Sequence, residues 1–316
     1  MKRSLFVFAS FVFILAALTG CGKKDNALKI GVSIPAADHG WTGGVVYHAN
    51  EVKKEIEAAN PGIRVIVSTA TTSAEQVDRV ENLLAQGIAA LVILPHNPEP
   101  LSGVCARAVK DGVKLVVVDR NLANPVQDIL VAGDNHGFGR VAAEAIAETL
   151  GGAGTVVMME GVLCDVNSFR VNAFKEALEA FPEITIIDSG ATDWKTENGL
   201  KLMENFLQKH PRIDAVWTGD DDVSLGALKA IEESGRKDIK LLVGGGGSKT
   251  IIKRVMDGDP LVRLTVTYPP SMIAVGAREA LKLLQGETPE STTITIPAEI
   301  IHQDNAAKHY APNSAY

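Results

Sequence analysis

Three short stretches carry side chains able to read a small polar molecule. Asp119-Arg120 closes the predicted strand Lys114–Asp119, so the pair stands at a strand end. An ionised carboxylate accepts from paired hydroxyls while a guanidinium donates through a rigid fork. Side by side they suit the vicinal oxygens of a polyol, with a plain salt bridge as the alternative. Asp38-His39-Gly40-Trp41-Thr42 joins a predicted strand to a predicted helix, the place where α/β sheets bind ligands. A Trp face packs on the C–H face of a sugar ring and His39 can hydrogen-bond a hydroxyl; a Trp buried in the core is the alternative. Asp220-Asp221-Asp222 opens a predicted helix, with Asp220 at the strand end and Asp221 and Asp222 expected to cap the helix. No Ser/His/Asp spacing, acid pair, CxxC or HExxH can be singled out, so catalysis, a metal and a cofactor are not expected.

Positioning these groups takes a large fold. The chain has 316 residues, enough for two domains, and 46% hydrophobic residues to fill their cores. The 31 Lys and Arg face 38 Asp and Glu, and no basic cluster lies beyond residue 24, which disfavours nucleic acid. From Leu28 strand-like and helix-like segments alternate. Strands are expected at Leu28–Ile34, Arg64–Ser68, Ala90–Leu94 and Lys114–Asp119. Between them lie helices at Gly43–Asn60 and Leu101–Lys110, and one opened by a capping box at Ser73-Ala74-Glu75-Gln76. The alternation restarts at Ile129–Gly133 and runs to a strand at Thr292–Ile296 and a polar tail. Strands apolar at nearly every position suit parallel sheets covered on both faces. About eleven of them exceed one open sheet and indicate two doubly wound α/β lobes.

The N-terminus carries an address. Lys2 and Arg3 precede a fourteen-residue apolar run, Leu5–Leu18, of secretory length. Leu18-Thr19-Gly20-Cys21 resembles the bacterial lipobox, which implies a signal peptide over 1–20, lipidation of Cys21 and a tether over 21–27. The globular part then works outside the cytoplasm, periplasmic or at the cell surface, touching a membrane only through its anchor. Cys105 and Cys164 are expected as buried free thiols rather than a bridge between lobes.

Val117-Val118-Asp119-Arg120, followed by Gly133-Asp134-Asn135, begins a longer pattern. It continues at Arg170-Val171-Asn172-Ala173-Phe174 and at Asp214 to Asp222, closed by Leu225-Gly226-Ala227-Leu228. From Leu28 to Ile296 the chain resembles bacterial sugar-binding proteins of the ribose- and galactose-binding type. The resemblance implies the type I periplasmic binding protein architecture: two parallel-sheet lobes joined by three crossovers, with a ligand cleft between. It implies an N-terminal lobe over 28–133 and 268–297, a C-terminal lobe over 134–267 and a tail over 298–316. The crossovers are expected near Leu122–Ile129, Thr267–Pro269 and Ile296–Ile300.

The same resemblance marks His39, Trp41, Thr42, Asp119, Arg120, Arg170 and Asp220 as ligand-binding. Trp194 aligns with a cleft aromatic that would sandwich a ring against Trp41, whereas Trp217, inside a strand, belongs to the core. Three positions depart from the family: Ser168 where an Arg is frequent, Gly246 where a carboxylate is frequent, and Thr267-Tyr268 where a Gln-containing hinge is frequent. Losing an Arg and an Asp argues against ribose or galactose themselves and leaves room for a bulkier or differently substituted ligand. The implied protein is a monomer that delivers a neutral sugar or polyol to an ABC transporter permease; a sensory protein presenting its ligand to a membrane kinase or chemoreceptor is the alternative. Two motifs are set aside. Gly137-Phe138-Gly139-Arg140-Val141-Ala142 matches the dinucleotide fingerprint GxGxxA, but it falls at a helix start of the family and outside any nucleotide pool. Gly244–Gly247 lacks the spacing of a P-loop.

Overall fold

The computed structural model describes residues 27–316. Residues 1–26, with the lipobox and Cys21, lie outside it. Thirteen strands and ten helices alternate among the described residues.

The first sheet takes β1 (Leu28–Pro35), β2 (Ile63–Ala70), β3 (Ala90–Ile93), β4 (Lys114–Val118), β5 (Ile129–Gly133) and β12 (Thr293–Ile296). They run parallel in the order β12-β5-β4-β3-β1-β2. The central strands β3 and β4 are apolar on both faces because helices cover both. Val92 and Val116 face α1 (Gly40–Ala59) and α9 (Met272–Leu284), while Leu91 and Leu115 face α2 (Ser73–Ala85) and α3 (Pro98–Lys110). The cap of α2 is one residue earlier than the sequence suggested. Thr72 accepts from the Glu75 N–H, and the Glu75 carboxylate accepts from Thr71 rather than completing a box on Ser73. Gln76, freed from capping, is buried; it donates to the Leu94 carbonyl and accepts from the His96 N–H, fixing the loop after β3.

The second sheet orders β7 (Glu183–Ala191), β6 (Ala153–Glu160), β8 (Ala215–Thr218) and β9 (Leu241–Val243), again parallel. Helices α4 (Asn135–Leu150) and α5 (Asp165–Leu178) cover one face, with Phe138 and Phe174 packed beneath Trp217 and Met158. On the other face lie α6 (Thr196–Lys209) and α7 (Asp221–Ser234). The GxGxxA match is a packing device: a Cβ on Gly139 would overlap the Arg170 carbonyl, so the glycine lets α4 and α5 touch backbone to backbone. Beside this sheet, β10 (Gly245–Gly246) pairs parallel with β11 (Leu264–Thr267), and β13 (Ile300–His302) pairs antiparallel with β11.

Three segments cross between the sheets, and the first is not where the sequence put it. Leu122–Ile129 joins β4 to β5 inside the first sheet; the crossing comes after β5, at Gly133–Asn135. The others, at Thr267–Ser271 and Pro297–Glu299, fall close to expectation. All three are tied together: the Asp134 N–H donates to the Ile296 carbonyl, and the Thr267 N–H to the Glu299 carbonyl, each at 2.8 Å. Residues 298–316 are not a free tail. They supply β13 and α10 (Ala306–His309), which pack on α8 (Lys249–Met256), and end with Tyr316 buried. Cys105 is buried and Cys164 half-buried, and both are free thiols.

Gly139→Ala should force α4 from α5 and lower stability by about 1–3 kcal/mol, the usual range for an overpacked contact. Urea unfolding reads this as a lower midpoint at constant slope. An unchanged midpoint would mean that the two helices part freely.

Candidate functional site

In doubly wound sheets ligands collect beyond the carboxyl ends of the strands, where the strand order reverses. Here those ends face one another. The segments after β1 and β4 supply His39, Trp41, Asp119 and Arg120; the second lobe supplies Val166 and Arg170 from α5, Trp194, Asp220 and Gly246 of β10. Tyr268, from the second crossing, lies between them. The space between them that no atom fills is about 320 Å³, part of it open to solvent, and it is narrow, a slot rather than a roomy cavity. A broader cavity lies behind it, lined by the crossing segments, Ser314 and Tyr316, and Gly246 lines both.

A chain of hydrogen bonds forms the slot's floor. Asp119 Oδ1 accepts from the Tyr268 hydroxyl at 2.6 Å, and that hydroxyl accepts from Asn135 Nδ2 at 3.3 Å. Asn135 Oδ1 accepts from Arg170 Nε at 2.8 Å, and Arg170 donates through Nη1 to the Gly219 carbonyl at 2.7 Å. The Arg170 guanidinium lies 4.1 Å from the ring centres of both Phe138 and Tyr268, which suits a buried cation. Burial, then the charge of Asp119, pushes the Tyr268 phenol well above its ordinary range, so it stays a donor. Asp119 reaches this place through a left-handed backbone, φ 67°, that follows β4. Such a conformation is tolerated by Asp better than by most residues but remains strained.

Arg120 and Trp194 close the slot from opposite sides. Arg120 donates to the His96 carbonyl at 2.9 Å, the loop that Gln76 holds, and its guanidinium carbon lies 5.7 Å from the Trp194 ring centre. His39 stacks on the same indole at 6.4 Å and 25°. Asp193 and Trp194 both have left-handed backbones, φ 54° and 56°, and Gly161 has no side chain to obstruct the Trp194 indole nitrogen. Trp41 donates from its indole N–H to the Tyr268 carbonyl at 2.8 Å and tilts on the Tyr268 ring. Asp38, bonded to His39 Nδ1 at 2.7 Å, is held well below the usual carboxylate range by that bond.

The three acids of α7 divide their work. Asp220 caps the helix by accepting from the Asp222 N–H at 2.7 Å; burial and then the charges of Asp222 and Asp221 raise its pKa well above normal. Asp221 accepts from the Gly247 N–H, the Ser248 N–H and Thr265 Oγ1, at 3.0, 2.8 and 2.8 Å. Asp222 crosses the slot and accepts from the Gly40 N–H at 2.8 Å and the Trp41 N–H at 3.4 Å, at the N-terminus of α1. The expectation that Asp221 and Asp222 cap their own helix is thus replaced: Asp220 caps, Asp221 braces β10 and β11, and Asp222 caps a helix of the other lobe.

A family model for the periplasmic binding protein domain matches residues 30–288. The chain belongs to the periplasmic binding protein family. Among its relatives is the ribose import binding protein of Bacillus subtilis, 34% identical over 249 residues, 78% of this chain and 79% of that one. The D-xylose-binding periplasmic protein of Escherichia coli is 30% identical over 246 residues, 75% of this chain and 73% of that one. A solute-binding protein of an ABC transporter from Mycobacterium smegmatis, solved with bound glycerol, superposes with a TM-score of 0.81. It is 26% identical, and the alignment covers 91% of this chain and 98% of that one. The fold is the two-lobed type I architecture, and these relatives are binding proteins rather than enzymes.

In this periplasmic binding protein the slot gathers nine of the twelve residues marked from sequence: His39, Trp41, Asp119, Arg120, Arg170, Trp194, Asp220, Gly246 and Tyr268. Three stand outside it. Thr42 Oγ1 donates to Asp38 Oδ1 and accepts from the Asp38 and His39 N–H groups, shaping the loop. Ser168 Oγ donates to the Cys164 carbonyl one turn back in α5. Thr267 Oγ1 accepts from the Glu299 N–H and belongs to the crossings. Trp41 and Trp194 both line the slot, and His39 stacks on Trp194. The room expected at Gly246 is filled by the Tyr316 hydroxyl, which a Cβ there would overlap. Sequence reading missed Val166 and the cross-slot bond of Asp222, and quoted Asn135 without seeing that it joins Tyr268 to Arg170.

Burial pushes the Asp221 carboxyl up to about 7, against the pull of its three donors. A raised folded-state pKa means that the native state holds the proton longer than the unfolded chain. The contribution is therefore present below about pH 4 and is lost as pH rises towards 7. Relative to Asp221→Asn, the wild type should lose stability between about pH 4 and 7, by at most about 1.4 kcal/mol per unit, and change little above that. Urea unfolding of both proteins at each pH measures it. A difference that stays flat or grows with pH would contradict the assignment.

Proposed function

We propose that this protein is the extracytoplasmic solute-binding component of an ABC importer and takes a neutral sugar or polyol into the slot by closure of its two lobes. The observation that carries the reading is the charge pattern of the slot. Two carboxyls, Asp119 and Asp220, meet two guanidiniums, Arg120 and Arg170, beside the faces of Trp41 and Trp194. Burial drives Asp220 towards its neutral form and Arg170 is already bonded to Asn135 and the Gly219 carbonyl, so Asp119 and Arg120 meet the ligand as one charge of each sign. A strongly anionic or cationic solute would leave one of them unmatched in a place largely shielded from water, whereas neutral hydroxyls can serve both. The ribose- and xylose-binding relatives and the glycerol-bound structure support a polyhydroxylated ligand. On this reading the lobes are 28–133 with 268–297, and 134–267 with β13 and α10 added from residues 298–316.

Binding follows from the geometry. With the lobes apart, each wall is solvated and the ligand hydroxyls meet Asp119 and Arg120 first. Closure brings Trp194 and Asp220 from the other side, excludes water and sets Asp222 on the first turn of α1. A ligand that contacts both walls binds the closed form better and shifts the population towards it. The permease then reads the closed form. Delivery outside the cytoplasm fits the apolar leader, and Cys21 provides the lipid anchor.

Two measurements test this. A thermal-shift panel of D-ribose, D-xylose, xylitol, myo-inositol and glycerol should give at least one stabilising ligand. Asp119→Ala should weaken that ligand at least about tenfold by calorimetry, since charge-assisted bonds contribute about 1.5–3 kcal/mol each. Trp217→Ala, which unstacks Phe174 beneath the second sheet, should lower stability more than affinity. Wild-type affinity in Asp119→Ala, or a preference for sugar phosphates, would remove the assignment. Separately, Cys21→Ser should abolish lipid labelling and release the protein from the membrane fraction; retained label would refute the anchor.

A further inference from the structure

Gly246 lines the slot with a left-handed φ of 125°, and the space its side chain would take is occupied. The occupant is the hydroxyl of Tyr316, seventy residues further along the chain. Tyr316 is 6% exposed, and its hydroxyl has no hydrogen-bond partner among the described residues. Other groups fix it firmly. Its N–H donates to Ser314 Oγ at 3.2 Å, and Lys249 Nζ donates to the Ser314 carbonyl at 2.5 Å. On its other side a Cβ on Gly44 of α1 would stand 2.8 Å from the Tyr316 Cβ. Two glycines, one on each lobe, thus make way for the two ends of this side chain, Gly44 at its Cβ and Gly246 at its hydroxyl. Tyr316 lines the cavity behind the slot, with Gly246 between the two. Burying an unpaired hydroxyl is unfavourable, and one held this way behind the Gly246 wall is a donor awaiting an acceptor.

We propose that Tyr316 is a specificity-determining residue of the slot: its hydroxyl stands in for the absent side chain at 246 and donates to an oxygen of the bound sugar or polyol. The inference rests on the proposed function and deepens it. Burial and the neighbouring Asp220, Asp221 and Asp222 hold the phenol in its neutral form, so it offers a proton. The family resemblance puts a carboxylate, an acceptor, at position 246. A neutral donor there reverses what that corner of the slot asks of its ligand, and the wedge against α1 ties the same residue to closure.

The test is Tyr316→Phe, which removes the hydroxyl and keeps the ring between Gly44 and the β10 wall. Calorimetry uses the tightest member of the panel above, and all members are then ranked on both proteins. The expected result is a loss of about five- to tenfold in affinity for that member and a changed ranking. The ligand-free melting temperature should be unchanged or raised, because an unpaired buried hydroxyl has gone. Equal affinity with the same ranking overturns the inference and leaves the slot reading standing, provided Asp119→Ala still weakens binding. A lower ligand-free melting temperature with unaltered affinity also overturns it, by making Tyr316 a purely structural wedge. If the wild type binds no member of the panel, the slot reading falls first and this inference with it.

Discussion

A buried guanidinium has to be matched, and the matching of Arg170 organises the centre of this molecule. Its charge lies between two aromatic rings and donates to Asn135 and to the Gly219 carbonyl. Asn135 lies on the first crossing and Tyr268 on the second, so meeting the needs of Arg170 fixes both crossings against the second lobe. Tyr268 then passes the constraint to Asp119 at the end of β4 in the first lobe. Removing any one member leaves a buried donor or charge unpaired, which is far more damaging than the net worth of the bond. Gly133 belongs to the same arrangement, since a Cβ there would overlap the Tyr268 ring. The floor of the slot and the linkage of the lobes are therefore one network.

Much of this was legible in the sequence because parallel strands covered on both faces leave unbroken apolar runs. Asp119 and Arg120 were legible because they end such a run, where a polar pair has no place in the core. Other features leave no local mark. The loop Leu122–Ile129 holds Asn124-Pro125 and Gln127-Asp128, which read like a linker, while the true crossing at Gly133–Asn135 has no loop at all: β5 runs almost directly into α4. The cap of α2 was displaced by one residue because Thr72 and Ser73 are chemically equivalent candidates, and the backbone turn chooses between them. Ser168 was marked by alignment with an Arg, but a hydroxyl that short satisfies itself on the helix behind it. Residues 298–316 look like a polar tail because four-residue elements such as α10 are too short to show periodicity. The role of Tyr316 depends on two glycines distant in sequence, each unremarkable alone.

The strained residues mark where the fold yields to the site. Among the described residues three non-glycine positions have left-handed backbones, and two of them, Asp119 and Trp194, line the slot. Each costs roughly 1–2 kcal/mol against an ordinary conformation and is held by its surroundings, Asp119 by Tyr268 and Trp194 by the stacked His39. Composition and spacing predict no strain, so this feature enters only with the backbone. It orients a carboxylate and an indole that regular strands and helices would have turned elsewhere.

The contacts that cross the slot are of a kind that suits a reversible clamp. They are the Asp222 carboxylate on the first turn of α1, His39 stacked on Trp194, and Arg120 over the same indole. Opening rehydrates the carboxylate and the guanidinium, so most of what is lost on parting is regained from water, and each contact is worth about 0.5–3 kcal/mol at most. Closure held this way lies within a few kcal/mol of opening. A ligand touching both walls needs a preference of about 5.5 kcal/mol for the closed form to move the balance from 1:99 to 99:1, within reach of several charge-assisted bonds. A broad apolar seam would hold the lobes shut without ligand and could not release what it had caught. The bonded crossings at 133–135, 267–271 and 297–299 confine motion to rotation about one small region. On the proposed function, the weak contacts at the mouth decide how often the slot opens, and the strong network at the floor decides what it finds when it closes.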